Sequence, residues 1–397
     1  MLEADILIDL FLMLLLGKLL GDLVRMVGFS PLIGQMTAGI LLGPMCLGLV
    51  DLSHGMEMLS GLGILFMMFL MGLSVDFEKV MKENLYRASL MSIFGGALTF
   101  FAAMAITVLL GFELNEALLV GIAFISTSTA IGFMVLTEVG DRHSNVFKAI
   151  MAVGTTDDVF AMLALSLFMS YQHEGVNVQD AFKLFLLVLG FIVFVLWMGR
   201  PLSEKLIKSA VKLSGDESVI VVSVIILFAV AFLGNGLGIA AVTGAFLGGT
   251  LLARSYLSFK IITPKIEAVS EGLFIPLFFT YTGVQINIRE IIFSAPVDLV
   301  FIQVPLDIVL FLGLLMVVMS SKFVGTFASA LTLGGFKEKE RVKMGLAMMP
   351  MGEYTLVIGQ IGMSLYGMSA IYSVLALVVL VTSIISPIMI RRAYQAT

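Results

Sequence analysis

Long apolar runs follow one another from end to end of the chain, separated by short clusters of charge, glycine and proline. They are unbroken runs rather than short segments of alternating polarity, which excludes a transmembrane β-barrel. A helix rises about 1.5 Å per residue, so about 18 apolar residues cross the hydrocarbon core of a bilayer. The breaks predict helices over 4–26, 31–50, 56–75, 86–110, 116–138, 146–171 and 179–199, then over 217–234, 236–254, 268–286, 304–333, 342–364 and 368–390. This is an all-α integral membrane protein of about thirteen transmembrane helices. The stretch 297–333 exceeds one crossing and leaves room for a loop or a steep tilt.

Basic residues give the direction of each crossing. Of the 23 Lys and Arg, 19 fall after odd-numbered helices or at the C-terminus, among them Arg25, Arg142, Lys205, Lys260, Lys339 and Arg391. Two, Lys183 and Arg289, fall on the other side, while Lys18 and Lys322 lie within predicted helices. Cytoplasmic loops carry the excess of positive charge, so the N-terminus is placed outside and the C-terminus in the cytoplasm. A miscount of one helix would scramble this segregation.

Thirteen divides into two sets of six about a linker helix, 179–199, with the Lys- and Ser-rich loop 200–217 joining the halves. The two sets then run in opposite senses, the inverted-repeat plan of many secondary transporters. The fifth helix of each set is interrupted within its apolar run. Helix 5 carries Ser126-Thr127-Ser128-Thr129 and helix 12 carries Pro350-Met351-Gly352-Glu353. Either alone reads as a polar patch or a proline kink. Found at matching places, they predict broken helices near the midplane of the membrane.

Composition narrows the chemistry. The chain is 59% hydrophobic and 13% charged, with a mean hydropathy of +1.09, outside the range of soluble domains. Its 39 glycines suit a bundle in which small residues let helices approach closely. A single cysteine, Cys46, allows no intrachain disulfide and no thiol metal cluster, and the three histidines are too scattered for a metal site. Glu3 and Asp5 stand where a signal peptide would be basic, so the first helix is kept as structure.

The charges inside the apolar runs carry the functional argument, because a charge at the bilayer centre costs about 3 kcal/mol or more. Asp157 and Asp158, in Gly154-Thr155-Thr156-Asp157-Asp158, lie roughly 17 Å from the cytoplasmic start of helix 6. Lys322 lies at a similar depth in helix 11, and the Ser/Thr run of helix 5 and Glu353 fall roughly 12–17 Å deep. Four separately placed features therefore meet at one level. Neighbouring helical residues point about 100° apart, so one aspartate can pair with Lys322 while the other opens on a cavity. A structural salt bridge accounts for one aspartate and leaves the other needing a cation or a proton. Broken-helix carbonyls, Thr127, Ser128, and Thr155 or Thr156 offer the oxygens a hard monovalent cation prefers.

These residues resemble the monovalent cation:proton antiporter-2 family. The resemblance rests on Arg25-Met26-Val27-Gly28-Phe29-Ser30-Pro31 through Gly39-Ile40-Leu41-Leu42-Gly43-Pro44, on Thr127-Ser128, on Asp157-Asp158 and Lys322, on Pro276-Leu277-Phe278-Phe279 to Gly283, and on Gly352-Glu353. It spans nearly the whole chain. It implies a homodimer whose protomers have a dimerisation scaffold (helices near 4–75 and 217–286) and a moving core (helices near 86–171 and 304–390), with elevator-type alternating access. It implies that Asp158 binds the ion, that Asp157 pairs with Lys322 in one state, and that the two-aspartate exchange is electrogenic. It places the protein in a prokaryotic cytoplasmic (inner) membrane. One departure is Met351, where many relatives carry arginine before Gly-Glu. No soluble nucleotide-binding regulatory domain of the glutathione-gated potassium efflux kind is expected.

The expectation is a secondary antiporter of Na⁺, K⁺ or Li⁺ against protons, not an enzyme, with no cofactor and no nucleic-acid partner. A sodium-coupled symporter of similar architecture would need room for an organic solute and leaves Lys322 unexplained. An intramembrane aspartyl protease needs two carboxylates facing each other, whereas neighbours on one helix diverge. A gated potassium channel-like protein is disfavoured by the missing regulatory domain.

Overall fold

The structure, a computed structural model, describes residues 4–74, 85–141, 144–174, 186–187, 190–191, 193–214, 216–237, 239–253, 255, 257–299 and 302–395. In chain order the helices are α1 (Ala4–Met26), α2 (Pro31–Leu42), α3 (His54–Ser74), α4 (Leu85–Leu109), α5 (Leu114–Ala123), α6 (Thr129–Glu138) and α7 (Asn145–Glu174). They continue with α8 (Arg200–Ser214), α9 (Asp216–Gly236), α10 (Ala241–Ala253), α11 (Thr263–Val269), α12 (Ile275–Gln285) and α13 (Ile288–Ile292). An antiparallel hairpin of β1 (Pro296–Leu299) and β2 (Ile302–Pro305) precedes α14 (Leu306–Leu333), α15 (Glu338–Ala347), α16 (Glu353–Tyr366) and α17 (Ser369–Gln395). Among the described residues six helices are long and apolar enough to span a membrane, α3, α9, α14, α17 and most of α4 and α7; α2, α5 and α10 are shorter apolar helices. The molecule is an integral membrane protein built almost wholly of helices.

Several boundaries differ from the sequence reading. The helix expected over 31–50 ends at Leu42, because Gly43 is extended and Pro44 follows it. The stretch 200–217, expected as a loop, is helical from Arg200 to Ser214. Its Ser203, Ile207 and Ala210 are buried at helical spacing, so a stripe thin in apolar residues still folds against its neighbours. The surplus length before α14 is taken up by the hairpin, in which Val297 faces Val304 in register. Of the linker helix expected over 179–199, residues 179–185, 188–189 and 192 lie outside the described residues, 186–187, 190–191 and 193–194 are helical, and its end, Val195–Gly199, is a π-helical turn leading into α8.

The chain divides into two compact units. One comprises Met1–Ile6, Ser53–Lys79 and Met162–Phe278. Here α3 and α10 meet through glycines: a methyl group on Gly72 would strike the Phe246 carbonyl, and one on Gly249 the Phe69 carbonyl. Contact of this kind is how helices associate where burial from water offers no driving force. Phe66 stacks on Phe274 with ring centroids 4.6 Å apart, and the Ser166 and Thr243 hydroxyls lie 3.2 Å apart.

The other unit comprises Leu7–Leu52, Val80–Ala161 and Phe279–Thr397, and it holds every residue of the candidate site. Its central seam joins α4 to α14. A β-carbon on Gly325 would sit 2.7 Å from the Gly95 Cα, and Ser321 donates to the Thr99 hydroxyl at 3.1 Å. The unit also holds an apolar cluster that includes Val135, Ile150, Val153, Met344, Met348 and Ile390. At the end of α17, Arg391 donates to the Gly28 carbonyl and to Glu138 Oε2, the latter at 2.8 Å. It thereby ties together the α1–α2 turn, the end of α6 and the C-terminal helix.

Candidate functional site

Two interrupted helices cross to make the site. Between α5 and α6, residues 124–128 leave the helical ladder; the Phe124 and Ile125 amides close tight turns on Gly121 and Ile122. Three successive hydroxyl residues, Ser126 to Ser128, offer the backbone alternatives to the helix. Between α15 and α16, residues 348–352 are likewise non-helical. Pro350 has no amide to donate and disfavours a helical Met349. The interruptions satisfy one another. The Ser128 amide donates to the Pro350 carbonyl at 2.8 Å, and the Thr355 hydroxyl donates to the Ala123 carbonyl at 2.8 Å. The Met351 amide donates to the Thr382 hydroxyl at 3.2 Å. The strands of chain pass so close that a β-carbon on Gly352 would lie 2.6 Å from Ser128 Cβ. The crossing sets the N-termini of α6 and α16 near the C-termini of α5 and α15, so partial positive and negative charges alternate around one point.

α7 delivers the two aspartates. A methyl group on Gly154 would collide with the Thr129 side chain, so glycine is what lets α7 lie against the start of α6. Asp157 is 1% exposed and forms an ion pair with Lys322 at 2.8 Å. It also accepts from Thr127 at 3.1 Å and, through Oδ1, from Ser92 of α4. Lys322, itself 1% exposed, makes a second, short bond to the Ile125 carbonyl freed by the end of α5. The lysine thus closes both a carboxylate and a helix C-terminus, where a cation is favoured.

Asp158, one residue on, turns to other partners. It accepts from Ser126 at 2.6 Å and has no ion-pair partner among the described residues. Glu353 opens α16, where an acidic residue suits the positive end of the helix. The Ser128 hydroxyl lies buried at the crossing without a hydrogen-bond partner among the described residues. Thr155 and Thr156 direct their protons to the carbonyls of Met151 and Ala152 on their own helix, at 2.9 and 2.7 Å.

Thr127, Asp157 and Lys322 therefore share one hydrogen-bonded cluster, Asp158 and Ser128 border the same crossing, and Glu353 opens the helix that follows the second interruption. Ser92, the Ser126 bond to Asp158 and the Ile125 carbonyl were not singled out as site features from sequence. Ser126 sits in the hydroxyl run and could have been; Ser92 is one of several hydroxyl residues in an apolar helix and carries no mark of its own. No group of three or more His, Cys, Asp or Glu among the described residues is arranged to hold a metal ion. The constellation suits a buried carboxylate alternating between a proton and a hard monovalent cation.

The transmembrane sodium/hydrogen exchanger family matches residues 11–395. The Na⁺/H⁺-K⁺ antiporter GerN of Bacillus cereus is 26% identical over 99% of this chain and 97% of its own length. A Na⁺/H⁺ antiporter of Enterococcus hirae is 26% identical over 97% of each chain. In fold, the chain is similar to the sodium proton antiporter MjNhaP1 of Methanocaldococcus jannaschii, with a TM-score of 0.76 over 98% of this chain and 99% of that one, at 15% identity.

Proposed function

The chain belongs to the sodium/hydrogen exchanger family, and from that premise we propose that it is a secondary antiporter exchanging Na⁺, or K⁺ or Li⁺, for protons at Asp158. The observation that carries the assignment is the division of labour between the aspartates. Asp157 is held by Lys322, Ser92 and Thr127, whereas Asp158 has, among the described residues, one hydroxyl partner and no cationic side chain paired with it. A buried carboxylate must be neutralised by a proton or a counter-ion. A proton and a cation therefore compete for the same oxygens, and that competition is the exchange. Thr127, Ser128 and the carbonyls exposed at the crossing supply further oxygens, with Thr155, Thr156 and Glu353 in support.

The cycle is electrogenic, with Asp158 carrying one proton and either Asp157 or Lys322 a second. Alternating access follows an elevator scheme: the core helices near 86–171 and 304–390 move against a scaffold near 4–75 and 217–286. Thirteen spans in two inverted sets of six, with broken helices 5 and 12 at the midplane, suit this scheme. The protein acts as a homodimer in a prokaryotic inner membrane, N-terminus outside and C-terminus in the cytoplasm, as its loop charges favour. A protease reading gains nothing from an aspartate that is locked to a lysine.

The test is proton flux in proteoliposomes after addition of Na⁺, Li⁺ or K⁺. Wild type should exchange with at least one of the three, and Asp158→Asn should abolish exchange while remaining folded. Normal exchange by Asp158→Asn would refute the assignment.

A further inference from the structure

The last turns of α17 are joined to the half-helices of the crossing by packing. Ile390 is buried in one apolar cluster with Val135 of α6 and Met344 of α15, and Tyr394 packs on that cluster. Polar contacts reinforce it. The Tyr394 hydroxyl donates to Asp141 in the turn after α6, and Lys343 Nζ of α15 lies 3.8 Å from the Tyr394 ring centroid. α6 begins at the crossing, α15 ends there, and Thr382 of α17 accepts from the Met351 amide within it. These three helices therefore form one body around the candidate site.

The α1–α2 turn meets that body through Arg391. Its Nη2 donates to the Gly28 carbonyl of the turn and, at 2.8 Å, to Glu138 Oε2 of α6, and its guanidinium carbon lies 5.3 Å from the Phe29 ring centroid. Gly28 suits this contact: its φ is +82°, which glycine adopts freely, and a β-carbon there would lie 2.7 Å from Nη2. On its other side α2 is interlocked with α12, where a methyl group on Gly39 would strike the Thr280 carbonyl and one on Gly283 the Met36 carbonyl. The contacts differ in how they break. Interlocked backbones part only by losing packing. The Arg391–Glu138 pair sits at a charged helix end, 22% and 49% exposed, where solvent can take over its bonds. One nitrogen serves both acceptors, and the buried Nε has no hydrogen-bond partner among the described residues, so the guanidinium is only partly engaged.

We propose that Arg391 is a releasable latch, fastening the α6–α15–α17 body to the α1–α2 turn in the present conformation and opening when the ion site changes sides. The inference rests on the elevator reading, which puts the turn on the scaffold and the three helices on the core. A contact made in only one of two states shifts their balance by its own free energy, and a charged donor makes the stronger kind of hydrogen bond. Glu138 makes release practicable. It belongs to the same body as Arg391 and stays paired with it, so opening gives up the Gly28 bond and the Phe29 contact without stranding a charge.

The test uses the full-length protein in lipid nanodiscs. Spin labels are placed at Met26→Cys, beside the turn and 84% exposed, and at Lys339→Cys, exposed at the start of α15, in a Cys46→Ser background. Pulsed electron spin resonance, on samples diluted with unlabelled protein, gives the distances and their weights. Wild type should be dominated by one distance. Arg391→Met keeps an unbranched chain but removes the charge and every donor, and should raise the ratio of a second distance to the first at least threefold. Tyr394→Phe cuts a bond inside the body and should leave the ratio as in wild type. A rise below threefold in Arg391→Met overturns the latch. So does a rise as large in Tyr394→Phe, which would mean general loosening of this end. Should Arg391→Met not accumulate, Arg391→Gln, shorter and uncharged, is read by the same ratio. Failure of the elevator reading looks different: the wild-type ratio would then be indifferent to Na⁺, Li⁺ and K⁺, while the comparison of Arg391→Met with wild type still decides the latch.

Discussion

Removing Lys322 alone should destabilise the protein far more than removing Lys322 and Asp157 together. Lys322 Nζ lies 2.8 Å from Asp157 Oδ2, and each side chain is 1% exposed. At that separation an effective dielectric of about 20 gives a gross attraction of about 6 kcal/mol. Taking both ions out of water costs several kcal/mol each, so the intact pair contributes little net stability. One-sided removal is another matter. Lys322→Gln leaves Asp157 charged and buried, with the Ser92 and Thr127 hydroxyls as its remaining partners among the described residues, and frees the Ile125 carbonyl as well. Breaking a buried pair in this way costs about 3–5 kcal/mol. The double variant Asp157→Asn/Lys322→Gln buries no charge at this pair and should recover most of that loss.

The assay is reversible unfolding in mixed detergent micelles for wild type, both single variants and the double variant. The cycle should give a coupling energy of at least about 2 kcal/mol, well above the scatter of independent sites. Singles that add to within about 0.5 kcal/mol would refute the premise that the two charges are one unit.

Three further outcomes follow from the same geometry. Where Asp158 is mostly protonated, the apparent KM for the cation should rise about tenfold per unit fall in pH if one proton competes for the site; a flat KM over acidic pH would end the competition scheme. Cation jumps should drive transient currents on wild-type proteoliposomes, and Lys322→Gln, if active, should exchange without them; full currents from that variant would move the second proton to Asp157, and a silent, active wild type would overturn electrogenicity. Gly352→Ala places a β-carbon 2.6 Å from Ser128 Cβ and should cost about 1–3 kcal/mol by overpacking, with lost exchange; wild-type activity and stability would show that the crossing can open without harm.

What the sequence made legible, and what it hid, follows one physical division. Depth along a helix depends on rise per residue alone, so Asp157, Asp158, Lys322, Glu353 and the hydroxyl run could be set at one level by counting. The turn of about 100° between neighbours was enough to part the two aspartates, and the structure gives them different partners. The interruptions at 124–128 and 348–352 carried local marks, three hydroxyl residues in one and a proline in the other. Angular position about a helix axis carries no such mark, because packing decides it. Ser92 and Lys322 show how. Each stands three residues before a glycine, Gly95 and Gly325, and a β-carbon on Gly325 would lie 2.7 Å from the Gly95 Cα. Residues three apart share a helix face, so the contact that draws α4 onto α14 also turns Ser92 and Lys322 toward the same carboxylate. The serine became a site residue through a glycine one turn away, and that dependence is invisible until both helices are placed. The hairpin before α14 and the helix at 200–214 were hidden for a related reason. In each, tertiary contacts fix a conformation that hydropathy alone leaves open, as the buried Ser203, Ile207 and Ala210 stripe demonstrates.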